Sequence, residues 1–241
     1  MNILALCTAV SPTSVALYHE QTLLAAYLQA HPGEELMSRI QALCIQAACP
    51  LKKVHIIAAV HGPGAFTGLR IGLVTAKTLA QTLEKKLVTV DALEAVAMQA
   101  GPSVQTVLVL QKACRDEYNM ALFGVDSLSA QDPLRRLTPN AVVHESQAVE
   151  ILAQTQGPVT VTGDGAALIY PLARKRNKPG LIYLVSGGQA LLTAQGVALR
   201  AYVLAKQKKF ADPLHVKPIY SHPPNVIYSK NIDYEKLRNP A

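Results

Sequence analysis

Twelve residues just past the first quarter of the chain constrain its fold most: His61-Gly62-Pro63-Gly64-Ala65-Phe66-Thr67-Gly68-Leu69-Arg70-Ile71-Gly72. They follow an apolar run at 55–60 that reads as a buried strand, and they lead into a helical pattern at 69–83. Glycine lets a backbone turn sharply and approach a neighbour closely, so the sequence predicts a loop over 61–68 between strand and helix. A strand–glycine loop–helix junction also offers unpaired N–H groups and a helix dipole to an anion. The segment is nevertheless no phosphate loop of the Gly-Lys-Ser/Thr kind, and its spacing misses the dinucleotide-binding GxGxxG. A structural turn is the favoured reading of the glycines.

The pattern on either side predicts an α/β fold. Short strands are expected at 3–7, 14–19 and 22–29, forming an antiparallel meander around a turn at 8–13. A helix is expected at 34–48, where Leu36, Ile40, Leu43 and Ala47 recur at helical spacing. Met37, Cys44, Ile45 and Ala48 widen its apolar band enough for burial on two sides. A strand at 87–90 precedes a helix at 92–99 with Asp91 as its N-cap. After Gly101-Pro102-Ser103 a second round begins: strands at 106–111, 118–125, 159–162 and 181–184, and helices at 146–154, 166–175 and 189–207. Strands that alternate with helices twice over predict two α/β lobes with mixed sheets, at 1–103 and 104–211, followed by an extended basic tail at 212–241.

The chain has 241 residues, half of them hydrophobic, and only 5% are aromatic, with no Trp. Leu, Val, Ile and Ala must therefore fill the core. No run approaches the ~18 apolar residues of a membrane span, and the apolar start lacks the basic flank of a signal peptide. A cytoplasmic protein with no membrane contact is expected. The net charge is +7, and after residue 205 Lys206, Lys208, Lys209, Lys217, Lys230, Lys236 and Arg238 face only Asp212, Asp233 and Glu235. Such a basic end attracts phosphate backbones, or it is a solvated surface. For the shorter cluster Arg174-Lys175-Arg176 with Lys178 the solvated reading is preferred.

Chemistry-bearing constellations are scarce. There is no GxSxG elbow and no HExxH, the seven histidines are scattered, and Cys7, Cys44, Cys49 and Cys114 show no metal-ligand spacing. The cysteines are expected to be small buried hydrophobes, and no metal site is expected. Gly163-Asp164-Gly165 reads as a turn and helix cap rather than a ligand contact. Gly68, Gly72, Ala76 and Ala80 form a small-residue stripe spaced by four. Either the chain's own sheet or helix 34–48, or a partner subunit's helix, packs against it.

The run His61, Gly62, Pro63, Gly64, Phe66, Thr67, Gly68, Arg70 closely resembles the signature of the TsaB (YeaZ) family. That family belongs to the glycoprotease-like branch of the actin/Hsp70/sugar-kinase, ribonuclease H-like fold. Ile3-Leu4-Ala5-Leu6-Cys7-Thr8-Ala9, Asp91-Ala92-Leu93, Gly163-Asp164-Gly165-Ala166, Asp212-Pro213-Leu214 and Pro218-Ile219-Tyr220 are similar to family landmarks in the same order. The resemblance implies a two-lobed actin-like fold. It also implies a non-catalytic subunit that supports a TsaD-like transferase in forming threonylcarbamoyladenosine beside the tRNA anticodon. A TsaE-like ATPase joins the assembly, tRNA is met through the complex, and a second copy takes the partner's place when the chain is alone. No cofactor is expected in the chain itself, with ATP or ADP admitted at the assembled complex. Other readings of the same fold are a glycoprotease-type peptidase and a nucleotide-dependent enzyme.

Two departures bear on those alternatives. Cys7 stands where the family usually has Asp, the place where related kinases hold Mg-nucleotide, and a thiol is a poor ligand for a hard ion. Lys112-Ala113-Cys114-Arg115-Asp116-Glu117-Tyr118-Asn119 keeps only Ala113 and Glu117 of a family motif. Given the resemblance, the partner interface is expected on the two helices 34–48 and 69–83, at Leu36, Met37, Ile40, Gly72, Leu73, Ala76 and Ala80.

Overall fold

The computed structural model describes residues 1–29, 35–101, 106–126, 132–155, 157–176, 182–185 and 187–222. The first sheet is built from β1 (Asn2–Cys7), β2 (Thr13–His19), β3 (Thr22–Gln29), β4 (Ile56–Gly62) and β5 (Lys86–Asp91). Its order is β3-β2-β1-β4-β5, an antiparallel meander joined to two parallel strands. Strand alternation sorts the side chains into two cores. Leu4, Leu6, Leu17, Ile57, Ala59 and Leu87 lie beneath α1 (Leu36–Gln46) and α2 (Phe66–Thr82). Ile3, Ala5, Cys7, Ala58, Val60 and Val88 face the opposite way, toward α3 (Ala92–Gln99) and the last helix among the described residues.

The second sheet contains β6 (Thr106–Lys112), β7 (Glu117–Val125), β8 (Leu134–Arg136), β9 (Ala141–His144), β10 (Val159–Thr162) and β11 (Ile182–Leu184). Its path is β11-β10-β6-β7-β8, with β9 also paired to β7. Helices α4 (Glu145–Gln154) and α5 (Ala166–Arg174) cover one face through Leu152, Ile169 and Ala173. On the other face Val107, Val109, Ala121 and Phe123 join the core shared with α3 and α6 (Ala194–Lys206). These two helices are the layer between the sheets. The result is the two-lobed α/β architecture with mixed sheets that the sequence implied.

Several expectations shift. The 61–68 loop shrinks to residues 63–65, because β4 runs through Gly62 and α2 already starts at Phe66. The single helix expected at 189–207 is a short 3-10 turn, Gly187–Ala190, followed by α6. Thr193, extended at φ −135°, caps α6 and separates the two. Strands β8 and β9 were not foreseen. Although α6 falls in the stretch assigned to the second lobe, it packs over β1, β2, β4 and β5 of the first. Asp91 caps α3 as expected, accepting from Leu93 N at 2.8 Å and Glu94 N at 3.1 Å. No helix among the described residues is long and apolar enough to cross a membrane. Glu34, Pro102, Ser103, Lys178, Lys230, Lys236 and Arg238 lie outside the described residues.

Candidate functional site

Each glycine of the signature has a neighbour in the space a side chain would need. A Cβ on Gly62, whose φ is +141°, would lie 2.0 Å from Ile219 O. On Gly64 it would lie 2.7 Å from the Ala9 side chain, on Gly68 1.9 Å from Thr8 O, and on Gly72 2.1 Å from Thr8 Oγ1. The Thr8 hydroxyl donates to Gly68 O at 2.6 Å, and Ala65 N donates to Ala9 O at 2.8 Å. The glycines thus serve close approach of the chain to itself, with the turn after β1 seated on the first turns of α2. This is the structural turn favoured from sequence.

The non-glycine residues of the signature hold a second segment. Residues 211–222 form a strap across the junction. Ala211 N donates to Leu87 O at 2.8 Å, Lys77 Nζ to Val216 O at 3.3 Å, and Ile219 N to His61 O at 2.6 Å. Tyr220 lies against Phe66, with ring centroids 4.7 Å apart, and accepts from Arg70 Nε at 3.0 Å. The Arg70 guanidinium sits 4.0 Å above the Phe66 ring. Beyond this point Ser221 donates to Asn119 Oδ1 at 2.5 Å and His222 meets Glu117 at 3.0 Å. Sequence landmarks some 150 residues apart therefore meet at one place. The altered segment 112–119 is the β6–β7 hairpin that receives the end of the strap. Pro63 is buried, while Thr67 is exposed at the start of α2.

A cleft of about 710 Å³ opens beside His61, lined also by Asp91, Glu94, Arg136, Asn140, Lys209 and Phe210. Its carboxylates are already committed. Asp91 meets Arg136 at 3.3 Å and accepts from Asn140 at 2.5 Å, and Glu94 is shared by Arg136 at 3.0 Å and Arg200 at 2.8 Å. Arg200 continues to Asp132 at 2.6 Å. Burial opposes its charge, but Glu94 and Asp132 more than offset that and raise its pKa. The network ties the first lobe, through Asp91 and Glu94, to the second lobe and α6, and that is its evident work. Burial lowers the pKa of His61 despite the nearby acids, so its ring is neutral at neutral pH. Among the described residues its buried Nδ1 has no hydrogen-bond partner. The sequence marks Asp91 as a cap and a family landmark, but nothing in the spacing of 61, 91, 94 and 136 announces their meeting.

The place where the resemblance would put Mg-nucleotide lies between the lobes, and the residues do not fit that group. Cys7 is wholly buried, with Sγ 3.8 Å from Leu192 O. Burial pushes its thiol up to about 12, so it offers no thiolate at neutral pH. The adjoining cavity, lined by Ser11, Gln111, Asp164, Leu191 and Thr193 among others, is narrow, with about 40 Å³ of accessible space, room for roughly three waters. Asp164 accepts from Lys112 N at 2.8 Å, which fixes the Gly163-Asp164-Gly165 turn on the end of β6. It does not cap α5, whose N-cap is Gly165 with no side-chain bond. Among the described residues no cluster of three His, Cys, Asp or Glu is arranged to hold a metal ion.

The expected partner interface is corrected by burial. Leu36, Ile40, Gly72, Leu73, Ala76 and Ala80 all face the protein's own first sheet; Ile40 and Ala76 are 0% exposed. Of the seven only Met37 is exposed, at 49%. The small-residue stripe brings α2 close to the sheet and the Thr8 turn. The outward faces of the same two helices carry Met37, Ile45 and Val74, the last two 75% and 61% exposed.

The chain is similar to several known proteins. A family model described as TsaD, tRNA N6-adenosine threonylcarbamoyltransferase, matches residues 27–123. The chain is 28% identical over 174 residues to the tRNA threonylcarbamoyladenosine biosynthesis protein TsaB of Bacillus subtilis, covering 70% of this chain and 73% of that protein. It is 46% identical over 72 residues to a tRNA N6-adenosine threonylcarbamoyltransferase of Methylorubrum extorquens, covering 30% of this chain but only 21% of that protein. Among solved structures, YeaZ from Pseudomonas aeruginosa superposes with a TM-score of 0.71 at 22% identity, over 91% of this chain and 99% of that one.

Proposed function

Because the chain is related to the TsaB (YeaZ) proteins, we propose that it serves the biosynthesis of threonylcarbamoyladenosine on tRNA as a non-catalytic subunit beside a TsaD-like transferase. The observation that carries this is the reach of the two kinds of likeness. It spans 73% of a TsaB protein and 21% of a transferase, which favours reading this chain as a companion of the transferase rather than as the transferase itself. The signature supports the same reading, since its glycines hold the Thr8 turn and its Phe66 and Arg70 hold the strap. In this proposal nucleotide belongs to the assembled complex, which also brings in a TsaE-like ATPase and the tRNA.

The docking face in this proposal is the outer side of α1 and α2, with a second copy occupying it when the transferase is absent. Three large apolar side chains exposed there, Met37, Ile45 and Val74, offer area to bury at ~25 cal/mol per Å². The test is capture of the co-expressed transferase, together with the content of modified nucleoside in cells lacking this chain. Met37→Asp with Val74→Asp is expected to abolish capture and fail to restore the modification, with an unchanged melting temperature. Persistent capture overturns the docking face. Normal modification in cells without the chain overturns the function itself.

A further inference from the structure

Six lysines from three separate stretches of sequence meet at the start of β5. Lys52 and Lys53 end the short turn before β4, Lys85 and Lys86 open β5, and Lys208 and Lys209 follow α6. Contacts between the three stretches join them. Lys85 Nζ donates to Lys52 O at 3.0 Å, and Lys86 Nζ lies 5.7 Å from the centre of the Phe210 ring. The backbone of Ala211 is bonded to Leu87. Five of the six are exposed and Lys85 is half-buried. Among the described residues, none of the six takes part in an ion pair; the nearest acids in sequence are Glu84 and Asp212, and Asp212 is engaged by His215. Phe210, 40% exposed, stands among them.

We propose that this face binds the phosphate backbone of RNA, with Phe210 as a stacking surface for an unpaired base. Six like charges gathered by the fold, none of them in an ion pair among the described residues, favour an extended polyanion over a single carboxylate. Lysine is a compact point charge suited to phosphate, whereas planar carboxylates are best matched by arginine forks. An exposed aromatic ring among lysines is the arrangement that tracks single-stranded nucleic acid, where bases stack while the backbone follows the charge. Lys209 and Phe210 also line the cleft beside His61, so a base laid on Phe210 has a recess next to it. That the RNA is the tRNA of the complex rests on the function proposed above. The surface shares Lys208 and Lys209 with the basic end read from sequence, but its other four lysines precede residue 90.

The experiment measures labelled tRNA binding by fluorescence anisotropy between 50 and 200 mM salt, for the full chain alone and with the transferase. The variant is Lys53→Ala/Lys86→Ala/Lys209→Ala, three exposed side chains whose loss leaves the core intact. Each lost phosphate contact lowers the slope of log K against log salt by ~0.7–0.9, so a slope smaller by about 2 and at least tenfold weaker binding are expected. Phe210→Ala is expected to weaken binding about tenfold with the slope unchanged. Wild-type affinity and slope in the triple variant overturn the proposal. So does loss of binding to phosphatidylserine vesicles with RNA binding retained, which makes the face a membrane surface. Transferase capture in the same samples separates the two readings. If the wild-type chain captures no transferase, the proposed function falls, while anisotropy on the chain alone still decides this face.

Discussion

Gly68 and Gly72 lie one turn apart on α2, and both face Thr8, but they meet different parts of it. A methyl group on Gly68 runs into the Thr8 carbonyl, a backbone atom that cannot step aside. On Gly72 it runs into the Thr8 hydroxyl, with the next nearest atom at 3.4 Å. Gly68→Ala is therefore expected to cost ~1–3 kcal/mol through overpacking, whether or not Thr8 is also changed. Gly72→Ala is expected to be destabilising alone and largely relieved in a Thr8→Ala background. A double-mutant cycle in urea reads the difference as a coupling energy, and equal coupling for both glycines would refute the contact assignment. The glycine run itself announced close approach, but the neighbour that demands it sits about sixty positions away, where nothing local to the run points to it. Cys7 was legible as a departure from the family and as a poor metal ligand. Its burial was legible too, as for Cys44 and Cys49 though not for exposed Cys114, whereas its contact with Leu192, 185 positions away, was not.

Helices α1 and α2 show what periodicity conveys and what it leaves open. Their positions were readable to within a few residues, since apolar recurrence at three and four is a local signal. Which surface each stripe meets was not readable, because a sheet of the same chain and a partner's helix both ask for small and apolar residues. Burial decides it: Ala76 at 0% and Ala80 at 2% exposure pack on the first sheet. Ala76→Leu or Ala80→Leu is accordingly expected to lower the protein's own stability by ~1–3 kcal/mol, seen as a fall in melting temperature of the isolated chain. An unchanged melting temperature would show that the stripe has room and return it to the surface. Other misses have equally physical causes. Strands β8 and β9 are three and four residues long, too short for alternation to register. The break before α6 depends on one capping threonine in a stretch otherwise rich in helix-compatible residues.

Across the whole molecule the strap is the feature that pattern reading did not anticipate. Its residues were read as an extended tail, and extended they are, but residues 211–222 lie on the protein. They touch β5, α2 and the signature junction of the first lobe and then the β6–β7 hairpin of the second. A chain ending at Phe210 is expected to melt lower and to exchange its amide hydrogens faster both at 61–70 and at 112–119. A chain ending at His222 keeps every one of these contacts and is the control. Loss of protection confined to one of the two regions would show that the strap does not couple them. Domains joined by a modest interface move relative to one another by default, and hinge bending between lobes is the usual way a two-lobed protein closes on a ligand. Here a belt fastened at both ends, on the first lobe and on the β6–β7 hairpin of the second, resists movement of one lobe against the other. The consequence is preorganisation. A molecule whose hinge is held in one position presents a partner with a surface already in its bound shape, and association then forfeits little to ordering.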